Sequence, residues 1–230
     1  DRNSLGIVPL ENSTEGSVGH TLRRLIATPL TIRAEIFLPV SLYLLTNCAR
    51  REDIGRVYSH PQALAQCRRW LAENLPQAAQ IETTSTSAAG TQALADSAGA
   101  AVGSRLTGEI NNLAILAADI EDIPGNTTRF LVLGRGEGKR TGRDKTSILF
   151  GTPHMPGALH QALAPIAREK INLLRIESHP LRDRKWEYLF FADLAGHRED
   201  EPVAGCLREM ANQTTFIKVL GSYAQGEEGS

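Results

Sequence analysis

Residues 145–178 read KTSILFGTPHMPGALHQALAPIAREKINLLRIES. KTSILF has strand character, residues 157–170 suit a helix, and NLLRIES returns to strand character. Working downstream, KWEYLFFADLAG (185–196) reads as a long strand, 199–212 as a second helix and TTFIKVLGSY (214–223) as a final strand. The order βαββαβ is the signature of an α+β, ferredoxin-like domain. Pro165 lies inside the first helix, where a proline costs about 3 kcal/mol or bends the axis, so a kink is expected there.

Upstream, GRGEGKRTGRDK (134–145) is dominated by glycine and charge and carries no apolar period, so it reads as a linker. We assign residues 1–135 to a first domain, 136–145 to the link and 146–230 to the second domain. The first domain alternates strands and helices. LGIVPL (5–10) is a short buried strand, and Val18, Leu22, Leu25 and Ile26 mark one face of a helix. LTIRAEIFL and PVSLYLLT follow as strands. RVYS then leads to Pro61, a favoured first helical residue, and a helix with Leu64, Cys67, Leu71 and Leu75 on its inner face. AQIET, a helix over 86–97, AAVGS and RFLVLG complete the block. This alternation predicts a mainly parallel α/β sheet.

Bulk properties narrow the function. The chain has 230 residues, 41% hydrophobic and 22% charged, with a net charge of −1. Such a chain has no basic field for nucleic acid or anionic membrane. The longest apolar stretch, FLPVSLYLL, is too short and interrupted for a bilayer span of about 20 residues. Cys48, Cys67 and Cys206 are odd in number and lack metal-ligand spacing, which fits a cytoplasmic protein with small buried thiols. The chain starts at Asp1 without a methionine and enters a strand within a few residues, as a protein trimmed at its N-terminus would. There is no GxSxG elbow, P-loop, GxGxxG turn or metal-spaced cluster, so covalent, nucleotide and metal chemistry lose ground, and no cofactor is expected.

Polar side chains gather where strands hand over to helices. ENSTEGSV places Asn12, Ser13 and Thr14 at a helix start, YSHPQ places Ser59 and His60 at another, and TTSTSAA places residues 84–87 at a third. Helix starts present free N–H groups and receive anions, and ligands of open α/β sheets bind beyond the carboxyl ends of the strands. A cleft for a small polyanion follows, held by hydroxyls and amides. Each site alone is also explained as an ordinary N-cap worth about 1 kcal/mol. Gln66, Arg68 and Arg69 likewise suit a solvated helix face. Midway, PGNTTRFLVLG (124–134) sets two threonines and an arginine before a strand that needs neither group for its backbone.

These stretches carry a resemblance. GIVPLENSTEGSV, SHPQALAQC, STSAA and NTTRFLVLG, in this order and at about this spacing, resemble prephenate dehydratase, while PGALHQALAPIAREKINLLRIESHP resembles the ACT domain that follows it. The resemblance covers nearly the whole chain. It implies a two-lobed, periplasmic-binding-protein-like α/β catalytic domain, here without its first βα unit, joined to a regulatory ACT domain. It implies a cytoplasmic carbon–oxygen lyase, free of cofactor and metal, that turns prephenate into phenylpyruvate. Arogenate dehydratase and a non-catalytic amino-acid-binding module are the alternatives.

By the family's pattern Thr128 donates to the departing hydroxyl, and Asn12, Ser59 and Gln66 match other catalytic or binding positions. Arg129 either pairs with a substrate carboxylate or holds the loop. Substrate contacts are implied for Ser13, Thr14, Glu15, His60, Thr84, Ser85, Thr86 and Phe130. In the second domain the resemblance implies an L-phenylalanine site. It draws on Pro156, Gly157, Ala158 and Leu159, and on Glu177, Ser178, His179 and Pro180, and lies between subunits of a homodimer or homotetramer. His160 and His179 depart from the family's GALV and ESRP motifs, which puts inhibitor affinity in question.

Overall fold

The computed structural model describes residues 4–180 and 188–227. Asp1 and the first three residues of the strand expected over 185–196 lie outside this range. In chain order the elements begin with β1 (Gly6–Asn12), β2 (Gly16–Ser17), α1 (Gly19–Ala27), β3 (Thr31–Pro39) and β4 (Tyr43–Thr46). They continue with β5 (Arg56–Ser59), α2 (Pro61–Gln66), α3 (Arg68–Asn74), β6 (Ala79–Glu82), α4 (Thr86–Ala95), β7 (Gly99–Gly103), α5 (Arg105–Asn111) and β8 (Ala114–Ala117). Last come β9 (Thr127–Gly134), β10 (Asp144–Gly151), α6 (Ala158–Arg168), β11 (Leu173–Pro180), β12 (Tyr188–Ala195), α7 (Glu201–Gln213) and β13 (Phe216–Ala224). The chain forms two compact units, Asp1–Leu38 with Thr128–Ser230, and Pro39–Thr127.

The first unit holds two sheets, ordered β2-β1-β9-β3 and β11-β12-β10-β13. The second is antiparallel throughout and realises the βαββαβ order read from the sequence. Its strands alternate sharply. Ile148, Phe150, Phe190, Ala192 and Leu194 pack with Ala162 and Ile166 of α6 and Cys206 and Met210 of α7. The intervening Leu149, Leu189 and Phe191, with Leu220 and Tyr223, pack with Leu10, Ile32 and Leu131 of the other sheet and with Leu22 and Leu25 of α1. This sheet is therefore covered on both faces, and every residue of β10 is buried. Helix α6 runs through Pro165 to Arg168, so the proline does not end it.

Two contacts tie these layers closely. Gly221, with φ of +157°, lies so near β3 that a Cβ there would sit 2.2 Å from the Ile32 carbonyl oxygen. Lys218 Nζ donates to the carbonyls of Leu25, Ile26 and Thr28 at 2.7–3.0 Å, closing the C-terminal end of α1 with a cation where the helix dipole favours one.

The second unit is a single sheet ordered β6-β5-β7-β4-β8 with helices between its strands. The expected mainly parallel sheet is corrected here. Only β6, β5 and β7 run parallel, while β4 is antiparallel to both β7 and β8, and in the first unit β1 is antiparallel to β2 and β9. Parallel pairing needs a helical crossover, which β5, β6 and β7 have and the link from β4 to β5, with only a single 3-10 turn at Arg51–Asp53, lacks.

The helix expected from Pro61 through Leu75 is broken at Cys67, whose φ and ψ are −111° and 16°. Asp122 accounts for the break. Its carboxylate accepts from the free N–H groups of Arg69 and Trp70 at 2.8 and 3.0 Å, and its own N–H donates to the Gln66 carbonyl at 2.7 Å. Helix α5 and strand β8 were not anticipated. Ser104 caps α5 by accepting from the Thr107 N–H, and interior Gly108 and the seven-residue length hide the helix from propensity. Among the described residues no helix is long and apolar enough to cross a membrane.

Candidate active site

Asn12 and Thr128 face each other on β1 and β9 in the first unit. The expectation that residues 12–14 open a helix is corrected: Asn12 ends β1, Ser13 and Thr14 begin the turn of the β1–β2 hairpin, which closes at Gly16 with φ +82°, and α1 begins only at Gly19. Asn12 Oδ1 accepts from the Thr14 and Glu15 N–H groups at 3.0 and 3.2 Å and from the Thr14 hydroxyl at 2.6 Å. A backbone N–H can only donate, so the side-chain atom facing it is the oxygen. The other atom is then the amide nitrogen, and Asn12 Nδ2 donates to Thr128 Oγ1 at 3.0 Å. Ser13, Thr14 and Glu15 are exposed on the same turn, and Phe130 is half-buried two residues along β9.

Arg129 points away from solvent and is only 4% exposed. Its Nε donates to Glu35 at 2.7 Å and its Nη1 to Asp193 at 2.7 Å and Glu11 at 3.1 Å, while Nη2 donates to the Tyr223 hydroxyl at 3.2 Å. Lys145 Nζ reaches Glu35 at 2.9 Å, and Ser147 joins Asp193 to Tyr223. Burial works against the guanidinium charge, but Asp193, Tyr223 and Glu35 outweigh it and hold the Arg129 pKa above its ordinary value. The sequence left a substrate clamp and a loop anchor open for Arg129; its donors are spent on three carboxylates and a phenol. Thr127 Oγ1 donates to the Gly125 carbonyl at 3.3 Å, a turn contact.

The remaining positions lie in the second unit. The carboxyl ends of parallel β5, β6 and β7 each lead into a helix capped by a side chain: His60 Nδ1 accepts from Gln62 N–H, Ser85 Oγ from Ala88 N–H and Ser104 Oγ from Thr107 N–H. Ser104 is the start missed in the sequence. Thr84 and Ser85 are exposed and Thr86 half-buried at the start of α4. Ser59 is fully buried and donates to the Val102 carbonyl at 2.7 Å, bracing β5 against β7. Gln66 is half-buried at the helix break beside Asp122. Behind it, burial first, then Glu121 and Asp122, push the Cys67 thiol up to about 12.

Comparison with known proteins bears on these motifs directly. A family model described as prephenate dehydratase matches residues 1–138, and one described as ACT domain matches residues 146–212. The chain belongs to the prephenate dehydratase family. It is 46% identical to the bifunctional chorismate mutase/prephenate dehydratase of Aquifex aeolicus (strain VF5), over 96% of this chain and 61% of that protein. It is 40% identical to the prephenate dehydratase of Mycobacterium sp. (strain KMS), over 95% of this chain and 70% of the relative. The crystal structure of prephenate dehydratase in complex with L-Phe from Arthrobacter aurescens superposes with a TM-score of 0.85 at 37% identity, covering 98% of this chain and 76% of that one. The chain thus spans about three fifths of the length of its bifunctional relatives. Its fold is the periplasmic-binding-protein-like fold of prephenate dehydratases, followed by an ACT domain.

In the ACT domain the two motifs named from the sequence occupy the start of α6 and the end of β11. Gly157 caps α6 in the left-handed region, with φ of +78°, next to exposed Pro156, buried Ala158 and half-buried Leu159; His160 is exposed. Glu177 and His179 are half-buried, with His179 Nε2 2.8 Å from Glu177 Oε1, and Ser178 and Pro180 are exposed. The His179 ring rests against Gly19 at the start of α1. Thus the departure from arginine is a packed residue here.

Proposed function

We propose that the chain catalyses the decarboxylating dehydration of prephenate. The prephenate dianion and one proton give the phenylpyruvate monoanion, CO2 and water, with no redox change. The observation that carries this reading is the Asn12–Thr128 pair. By accepting from Asn12, Thr128 Oγ1 keeps its own O–H for donation, and the departing hydroxide needs such a donor. A threonine hydroxyl is a weak acid, so Thr128 is a placed donor and the proton reaches it by relay. Arg129 is read as an anchor of β9 that holds Thr128 in place, since its donors are already taken. Ser59, by its burial, shapes the end of β5, while His60, Gln66, Thr84, Ser85, Thr86, Ser13, Thr14, Glu15 and Phe130 are assigned to substrate contact.

Residues 1–135 are assigned to the dehydratase domain, 136–145 to the link and 146–230 to the ACT domain. L-phenylalanine is the proposed ligand of the ACT motifs at 156–159 and 177–180, in a cytoplasmic homodimer or homotetramer. The test is phenylpyruvate formation from prephenate, with and without L-phenylalanine, and L-phenylalanine formation from arogenate. Thr128→Ala is expected to lower kcat by about 10² to 10⁴. Full rate in that variant removes Thr128 from its role, and no turnover of either substrate by the chain removes the enzyme reading.

A further inference from the structure

We infer that Ser17 and Arg175 are positioning residues through which the ACT ligand motif acts on the hairpin carrying Asn12. The inference rests on the reading of residues 177–180 as an L-phenylalanine site. Glu177 belongs to that motif, yet its carboxylate is engaged by the Ser17 hydroxyl and by Arg175 Nη2. Arg175 Nη2 also donates to Ser17 Oγ at 2.6 Å, so hydroxyl, guanidinium and carboxylate form one closed junction. From there Arg175 Nε reaches Glu11 Oε2 at 2.8 Å, while Glu11 Oε1 contacts Arg129 at 3.1 Å.

Glu11 and Ser17 are register partners across the β1–β2 hairpin, and the turn between them holds Asn12. The junction therefore grips both sides of the turn whose asparagine holds Thr128. A change in the partner of Glu177 must alter both strands of this hairpin, because Ser17 and Arg175 share its carboxylate.

The junction also has an alternative arrangement within reach. Arg175 Nη1 is buried and has no hydrogen-bond partner among the described residues. An unsatisfied buried donor destabilises the arrangement that leaves it so, which lowers the cost of exchanging partners. A cavity of about 330 Å³, lined by Glu11, Arg129, Arg175 and Asp193, adjoins the guanidinium and gives it room to move. An amino-acid ammonium taking Glu177 would release Ser17 and leave Arg175 to the carboxylate of Glu11.

Hydrogen exchange of the full chain, read at the amides of residues 11–17 with and without saturating L-phenylalanine, tests this without relying on turnover. L-phenylalanine is expected to change exchange there at least 3-fold in the unaltered chain. Ser17→Ala and Arg175→Gln should each abolish the change while L-phenylalanine affinity, measured by calorimetry, stays within about 5-fold. Ser17→Thr, which keeps the hydroxyl, should retain it. No change at 11–17 in the unaltered chain, or the same change in Ser17→Ala and Arg175→Gln, overturns the inference. Failure of the L-phenylalanine-site reading would register separately, as absent L-phenylalanine binding in the calorimetry of the unaltered chain.

Discussion

Arg129 shows what a single side chain adds that its sequence position does not announce. The run Thr127-Thr128-Arg129 is conspicuous, but the partners of Arg129 lie 94 and 64 positions away at Glu35 and Asp193. Because no local pattern links such distant residues, a substrate clamp and a loop anchor looked equally good. Removing one member of a buried ion network leaves the others uncompensated, at about 3–5 kcal/mol. Arg129→Met is accordingly expected to lower the denaturant midpoint strongly, whereas a substrate clamp would change KM with stability intact. Tyr223, in the same network, has its pKa raised, first by burial and then by Asp193. An unfolded tyrosine ionises near pH 10, so above that value the unfolded chain loses a proton the folded chain keeps. This contribution to stability is full below about pH 10 and declines above it; Tyr223→Phe should flatten the alkaline limb of a stability–pH curve.

Among the elements, the ACT-domain order was legible in full, because each strand carries β-branched or aromatic apolar residues and each helix has room for several turns. Sheet direction in the dehydratase part was less legible, since β4 looks like any other buried strand and only its missing crossover sets its sense. The break at Cys67 was hidden for a related reason. Cys67 sits on the same apolar period as Leu64, Leu71 and Leu75, and the groups that stabilise the break come from Asp122 in a distant loop. The contact of β13 with β3 is likewise invisible in the sequence, where Gly221 lies within the final strand and nothing marks its close approach to Ile32. Gly221→Ala should force the Ile32 backbone aside and cost roughly 1–3 kcal/mol, as overpacked sites do. A chemical denaturation curve unchanged by this substitution would contradict the close approach.

At the scale of the whole molecule, the compact units differ from the order of the sequence. The dehydratase strands β1, β3 and β9 share one core with the ACT sheet, through Leu10, Ile32 and Leu131 on one side and Leu149 and Phe191 on the other. KTSILF carried part of this information in its apolar second half, but Lys145, Thr146 and Ser147 hid that the strand is buried on both faces. What it could not say was which segment covers the second face. Phe191→Ala, expected to cost about 3–5 kcal/mol, should therefore lower hydrogen-exchange protection in β1 and β9 together with β10 and β12. Protection lost from the ACT strands alone would show two independent cores.

The charges on that shared face bear on how such proteins can be recombined. Arg129 and Lys145 are balanced by Glu35 and Asp193, contributed by strands on both sides of the boundary between dehydratase and ACT segments. A chimera that grafts a foreign ACT domain after residue 138 would inherit Arg129 and Glu35 but not Asp193, Lys145 or Tyr223. Unless the graft brings an acid, a cation and a hydroxyl to those places, Arg129 keeps only Glu11 and Glu35, and Glu35 loses its lysine. Modules that look separable in the sequence are exchangeable only together with their shared ions.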